Sequence, residues 1–369
     1  MTYLDNRAPE ILVYDRDTLE PLGRIRQYTD FRFTRNLYEC DSFEFVCSAD
    51  ATGAEYLTTD ALLGYYDGTT TRLGQIEKID QILEPYNNII RCTGRSGAIL
   101  KNRILLEGTT TGTGYDTVSA TPCETAMKHY IDGNVVSSSE PRRNVASIEI
   151  AADQSRGAVV TYSARFEVLA DLLSTLGQYA GIGWEFTFDR NAQKFIFDII
   201  QGTDRSADVK FSTGFKNVVK LEYLENLLNV PNVAIVGGQG EAEQREIVTV
   251  DTAPAAGLAY KEVFVDARDI TGTTELTLRG AAELDAYGDG ITLDVTISNN
   301  TFTYMRDWNL GDVVAVIYPQ KFNIHARIIS VSEIIDTSGR RLEITVGTHG
   351  NDLIRMVRDN SKKSMGARR

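Results

Sequence analysis

Alternation of apolar and polar residues sets the character of the first hundred positions. Phe31-Arg32-Phe33 and Phe43-Glu44-Phe45-Val46-Cys47 alternate as half-buried strands do, and Ile11-Leu12-Val13-Tyr14 runs into a turn at Asp15-Arg16-Asp17. A three-stranded meander follows. It comprises Leu62 to Asp67, a turn at Gly68-Thr69-Thr70-Thr71, the run Gly74 to Leu83, a break at Glu84-Pro85-Tyr86-Asn87-Asn88, and a return from Ile89 to Thr93 that stops at Gly94.

This meander has a second copy. Val313 to Tyr318 turns at Pro319, continues through Arg327-Ile328-Ile329-Ser330-Val331-Ser332-Glu333-Ile334-Ile335, breaks at Asp336-Thr337-Ser338-Gly339, and returns through Leu342, Ile344 and Val346 to Gly347. Ile76, Ile79, Ile82 and Leu83 fall on Ile328, Val331, Ile334 and Ile335 at a constant offset of 252. Side chains three apart on a strand point to opposite faces. Either both faces are covered, or a bulge switches the parity.

A further echo lies upstream of the second copy. Val219 to Tyr223, a polar connection with Asn229 and Pro231, and Val233 to Val236 repeat the strand, loop, strand order of Phe31 to Val46. The gap of about 70 residues before the late meander predicts an insertion inside the second repeat. The expected organisation is a first antiparallel β-barrel over 1–105, an α+β domain over 106–205, and a second, related barrel from 206–240 and 301–350. An inserted α+β domain spans 241–300, and a basic tail covers 351–369.

The region between the barrels carries the strongest helix signals. Thr121-Pro122-Cys123-Glu124 offers a capping hydroxyl, a proline at the first helical position and a glutamate at the third, predicting a helix to about Ile131 that stops at Gly133 or Asn134. A second helix aligns Val168, Leu169, Leu172, Leu173, Leu176 and Tyr179 and ends near Gly181. Trp184 to Phe188 and Phe195 to Ile199 form a hairpin turning at Asp189-Arg190-Asn191. In the later insertion, Glu262 to Val265 and Ile291 to Ile297 read as strands around a helix from about Thr274 to Tyr287.

Composition narrows the function. With 369 residues, 42% of them hydrophobic, the chain can bury a sizeable core in two to four domains. Its 38 basic and 51 acidic residues leave a net charge of -13, which argues against affinity for phosphate backbones. Met1 to Asn6 lack the pattern of a signal peptide, and no apolar run approaches a membrane helix, so stable membrane insertion is not expected. Cys40, Cys47, Cys92 and Cys123 lack zinc spacing and read as buried thiols in a reducing compartment.

Catalytic patterns are few. His129, His325 and His349 sit in three different predicted elements, no serine occupies a G-x-S-x-G elbow, and no phosphate loop ends in Gly-Lys-Ser/Thr. The glycines after Val233-Ala234-Ile235-Val236 lead into the alternating stretch Arg245 to Val250, which is a loop between strands rather than a nucleotide-binding turn into a helix. Asp189, Asp198 and Asp204 could supply a glycosidase pair, and Tyr65 or Tyr86 an exposed aromatic for glycan, but neither set has a distinguishing spacing. The expectation is no enzyme activity, with no catalytic, cofactor-binding or metal residues.

Leu73 to Arg103 with Thr93-Gly94-Arg95-Ser96, Asp204-Arg205 before Val209 to Ser212, Phe215 to Val218, and Asn232-Val233-Ala234 leading to Arg245 follow one another along the chain. Leu278-Arg279-Gly280 and Trp308-Asn309-Leu310-Gly311-Asp312-Val313-Val314 complete the series. In this order the segments resemble the tail-tip hub proteins of long-tailed phages and prophages, related to baseplate hubs and to the hub region of tail-associated lysins.

The resemblance implies a homotrimer in which two related barrels per chain build a pseudo-sixfold ring on the end of the tail tube. Its partners would be a distal tail or tube protein, the tape-measure protein and other tip or fibre components. DNA would pass through the lumen without specific binding, repelled by whatever share of the negative charge faces inward. The protein would assemble in the host cytoplasm and reside in the virion. Longer relatives continue into wall-cutting or fibre domains, and this chain ends at Arg369, so lytic activity is expected elsewhere. The competing expectations are a tail-associated cell-wall hydrolase and a carbohydrate-binding module.

Overall fold

The computed structural model describes residues 9–347 apart from 60, 85–86, 107–113, 226–227, 229, 252–255, 269, 271, 288–290, 298–300 and 319–321. His349 and the expected tail over 351–369 lie outside the described residues, as does Tyr86.

The early alternation becomes β1 (Ile11–Asp15), β2 (Pro21–Ile25), β3 (Asp30–Asn36), β4 (Ser42–Ser48), β5 (Ala61–Tyr66), β6 (Thr71–Glu84) and β7 (Asn87–Arg95). They pair antiparallel in the order β3-β4-β7-β6-β5-β1-β2. Phe31, Phe33, Phe43, Phe45 and Cys47 point into one core with Ile11, Val13, Leu63 and Tyr65. The intervening Arg32 and Glu44 take the other face, as a two-residue period requires.

The middle region contains β8 (Asp116–Pro122), α1 (Cys123–Ile131), β9 (Ile148–Ile150), β10 (Val159–Ala164), α2 (Leu169–Ala180), β11 (Gly183–Asp189) and β12 (Lys194–Ile200). The apolar stripe of α2 is buried, and Gly181 at φ 64° terminates it in the left-handed conformation that glycine adopts without strain. The α1 start differs from expectation. Thr121 belongs to β8 and donates to the Ser119 carbonyl, while the amides of Cys123 and Glu124 donate to the carbonyls of Ala158 and Arg156. A neighbouring segment therefore replaces the side-chain cap, because Thr121 is held extended by pairing with Val160. The β11–β12 hairpin forms as predicted and extends the first sheet through Phe188 opposite Thr71.

The last part comprises β13 (Lys210–Ser212), β14 (Val218–Glu225), β15 (Val233–Gly237), β16 (Ile247–Asp251), β17 (Glu262–Asp266), α3 (Thr273–Tyr287), β18 (Ile291–Ile297), β19 (Val313–Tyr318), β20 (Phe322–Asp336) and β21 (Gly339–Gly347). Here the pairing corrects the sequence reading. β15, expected as the second strand of the late barrel, is the centre of a separate sheet ordered β16-β15-β17, covered by α3. β18, expected in the insertion, pairs instead with β14 and β21. Both edges of β15 are occupied by its own neighbours, so it has none left to offer the larger sheet.

With β18 in place the two halves correspond strand for strand: β14-β18-β21-β20-β19 matches β3-β4-β7-β6-β5. The pairing of β6 with β7 slips between Ile76 and Lys78, and that of β20 with β21 between Ile328 and Ser330, so one bulge recurs at the offset of 252. It also settles the parity problem. Ile76 and Ile79 reach one core, and Ile328 and Val331 the other, although each pair is three residues apart. Phe43 over Gly74 and Gly94 corresponds in position to Leu293, Ala326 and Val346 of the other core, a smaller residue where the neighbours are larger.

Closed barrels are not formed among the described residues. β20 pairs with β3 from Ser330 opposite Asn36 to Asp336 opposite Asp30, so the halves fuse into one 16-stranded, mainly antiparallel sheet.

Candidate functional site

The eight strands β14-β18-β21-β20-β3-β4-β7-β6 present one continuous polar face opposite the two apolar cores. It carries Arg32, Glu44, Arg91, Arg95 and Glu77 in the first half, and Lys220, Glu222, Asp294, Glu343 and Arg341 in the second. Cross-strand neighbours neutralise one another: Arg95 Nε lies 2.7 Å from Glu77, Arg91 Nε 3.3 Å from Glu44, and Arg32 3.9 Å from Glu343. Lys220 Nζ is 2.5 Å from Glu222 on its own strand. Cations and anions are thus interleaved on this face, while Asp30 lies beside Glu44 and Asp336, and burial together with these neighbouring carboxylates raises its own carboxyl.

A buried polar knot fixes how the parts sit together. Arg35 of β3 donates to Glu185 Oε2 at 2.8 Å, to the Tyr304 hydroxyl at 2.6 Å and to Asn309 Oδ1 at 3.1 Å. Arg72 of β6 reaches the same Glu185 oxygen at 2.6 Å and Asp67 at 2.8 Å. Burial alone would raise the Glu185 carboxyl, but Arg72 and Arg35 outweigh it and hold it down at about 2. Asp41 is the opposite case. Burial pushes its carboxyl up to about 6 against the pull of Arg72 and Arg35, and its Oδ2 has no hydrogen-bond partner among the described residues.

One signal of this knot is legible along β3. Arg35 occupies the phase of Phe31 and Phe33, an inward position for a charged residue. Glu185 and Arg72 carried none.

Two segments singled out above dock on each other. Asp312 accepts from the amides of Thr203 at 2.7 Å and Asn309 at 2.8 Å, and from Arg205 Nε at 3.0 Å. Trp308 is buried against Phe211 and Tyr304. Gly202 lies so close to Gly311 that a Cβ would stand 1.7 Å from its carbonyl oxygen.

The residues weighed for catalysis are not assembled. Asp189 accepts from the amides of Asn191 and Ala192 in its hairpin turn, and Asp204 from that of Ser206. Asp198 is engaged by Arg156 at 2.8 Å and Lys128 at 3.2 Å, in a cluster with buried Glu124. His129 bonds Asp116 at 2.8 Å, which raises its pKa, while His325 pairs along β20. Tyr65, weighed as an exposed glycan contact, is buried between Phe31 and Phe33. The glycine loop joins antiparallel β15 and β16, as expected.

All four cysteines are buried free thiols, pushed up by burial to about 11 for Cys47 and about 12 for Cys40, Cys92 and Cys123. Among the described residues, no cluster of three or more His, Cys, Asp or Glu could hold a metal ion, and no helix is long and apolar enough to cross a membrane.

Comparison with known proteins gives the fold its setting. The prophage MuSo2 43 kDa tail protein from Shewanella oneidensis superposes with a TM-score of 0.58 at 14% identity, covering 91% of this chain and 98% of the other. A tail protein from Neisseria meningitidis gives 0.59 at 14%, covering 92% and 97%. Prophage tail protein gp18 from Listeria monocytogenes gives 0.51 at 13%, covering 97% and 99%. At these identities the likeness is one of fold. No curated protein matches the chain. The model of the Siphovirus ReqiPepy6 Gp37-like protein family matches residues 10–348, and the chain belongs to that family of phage tail proteins.

Proposed function

We propose that this tail protein is the hub that closes the distal end of the tail tube, as a homotrimer whose two related halves per chain give pseudo-sixfold symmetry. The observation that carries this reading is the strand-for-strand match of the halves, down to the shared bulge after Ile76 and Ile328. In this reading the polar sheet face lines the passage for DNA. Most of its arginines are tied to neighbouring carboxylates, so the wall offers phosphates little attraction. The middle α+β region and the unit of β15, β16, β17 and α3 face outward, toward the distal tail or tube protein, the tape-measure protein and other tip or fibre components. The role is structural, in a virion assembled in the host cytoplasm.

Negative-stain imaging of the purified chain and antibody labelling of intact tails test this together. A three-chain ring and label at the tail tip are expected. Label along the tube shaft, or turnover of purified peptidoglycan abolished by removing one carboxylate, would replace the hub with a tube or hydrolase reading.

A further inference from the structure

The internal repeat identifies two strand edges that the described residues leave open. In each half the wall strands run in the same order, β3-β4-β7-β6 and β14-β18-β21-β20. The last strand of the second half pairs with the first strand of the first, β20 with β3. The reciprocal joint, the distal part of β6 with β14, is not made among the described residues. Among the described residues, positions 78–84 of β6 pair on one side only, with β7, and β14 pairs only with β18.

Exposure follows that difference. Where the joint is made, Phe31 and Ile335 are 0% and 6% exposed. Where it is not, Leu83, the counterpart of Ile335, is 70% exposed, and Leu221, the counterpart of Phe31, is only half-buried. A strand edge flanked by exposed leucine and isoleucine is a template for pairing with another chain.

We infer that β14 of one chain pairs antiparallel with residues 79–83 of β6 in a second copy, in the register already used by β3 and β20. The register follows from the pairings on the page. Carrying β20 onto β6 by the offset of 252, and β3 onto β14 through their partners β4 and β18, places Leu221 opposite Leu83, Glu222 opposite Ile82 and Tyr223 opposite Gln81. The chemistry of the existing joint is reproduced. Leu221–Leu83 takes the place of the apolar pair Phe31–Ile335, and Glu222–Ile82 that of Arg32–Ile334, a charged residue opposite isoleucine in both.

The two open edges lie at opposite ends of the eight-stranded wall, so the contact is head-to-tail. Such contacts close into rings or propagate as filaments. Closure at three copies rests on the hub reading; the edge pairing does not.

The test is disulfide trapping in the full-length chain, whose native cysteines are buried. The double variant Leu83→Cys with Leu221→Cys places two thiols directly opposite across the joint, whereas Leu83→Cys with Tyr223→Cys places them diagonally, about 7–8 Å apart on an antiparallel pair. Oxidation over a range of protein concentrations, read on non-reducing gels, is expected to give covalent oligomers from the first variant. At least tenfold less should form from the second, and only dimers linked at like positions from either single variant.

Trimers by light scattering without cross-links in the first variant would overturn the pairing and leave the hub reading standing. Cross-links in rings of another size, or in open chains, would uphold the pairing and remove the trimer. Cross-linking that appears only after deletion of residues 348–369 would show that the chain's own terminus covers the edge, and would overturn the proposal.

Discussion

Replacing Glu185 by glutamine tests the buried knot most directly. One carboxylate oxygen holds two guanidiniums that belong to different strands, and the Glu185 side chain is only 20% exposed. Its pKa falls from an ordinary 4.5 to about 2, so the ionised form is favoured in the folded state. At about 1.4 kcal/mol per pH unit, the contribution at pH 7 is about 3 kcal/mol. That agrees with the roughly 3–5 kcal/mol cost of removing one partner from a buried ion pair. Because the folded pKa is depressed, the contribution is present above about pH 4.5 and is lost as pH falls toward 2, leaving on the order of 1 kcal/mol near pH 3. Urea unfolding followed by the fluorescence of buried Trp184 and Trp308 measures it. The expected result for Glu185→Gln is a loss of about 3 kcal/mol at pH 7, shrinking steadily with acid. A loss below about 1 kcal/mol at pH 7, or one that stays constant to pH 3, refutes the assignment.

Asp41→Asn should act in the reverse sense. The Asp41 carboxyl is raised to about 6, so its stability contribution is full below about 3.8 and is lost as pH rises through 6. The amide keeps the bond from the Asn36 N–H and should stabilise the fold at pH 8 by up to about 3 kcal/mol, with no gain at pH 4 in parallel melts. Gly74→Ala places a Cβ 2.6 Å from the Phe43 ring and should destabilise by roughly 1–3 kcal/mol. Adding Phe43→Leu, which restores the Leu293–Ala326 combination of the other half, should recover part of that loss, with a coupling of about 0.5–3 kcal/mol in a double-mutant cycle; strict additivity would reject the size exchange. The His129 imidazole should titrate above 6.5 by NMR and return to an ordinary value in Asp116→Asn, and an unmoved titration would dismiss Asp116 as the cause.

The repeat was legible because the meander is local. Its three strands are consecutive, its turns carry their own signals, and the offset of 252 survives in apolar positions that face a core. Membership of β15 and β18 was not legible, since both read as alternating or apolar strands, and only pairing across residues 226–290 decides which sheet each joins. Thr121-Pro122-Cys123-Glu124 misled because a hydroxyl before proline suits the end of an extended strand as well as a helix cap. The knot of Arg35, Arg72 and Glu185 joins residues more than 100 positions apart, and no spacing rule connects them. The interleaved charges of the polar face also escaped a reading based on net charge, which sums over the whole surface and is blind to cross-strand neighbours.

The seam between β20 and β3 has a consequence for assembly. Being internal to one polypeptide, it forms as the chain folds, at any dilution, without loss of translational freedom. A cylinder built from unlinked halves would have to make every seam by collision and would need each half to recognise the right neighbour. In the proposed ring, covalent linkage would remove half of those encounters and fix the alternation of the two kinds of half, so their sequences would be free to diverge while the seam geometry stays the same.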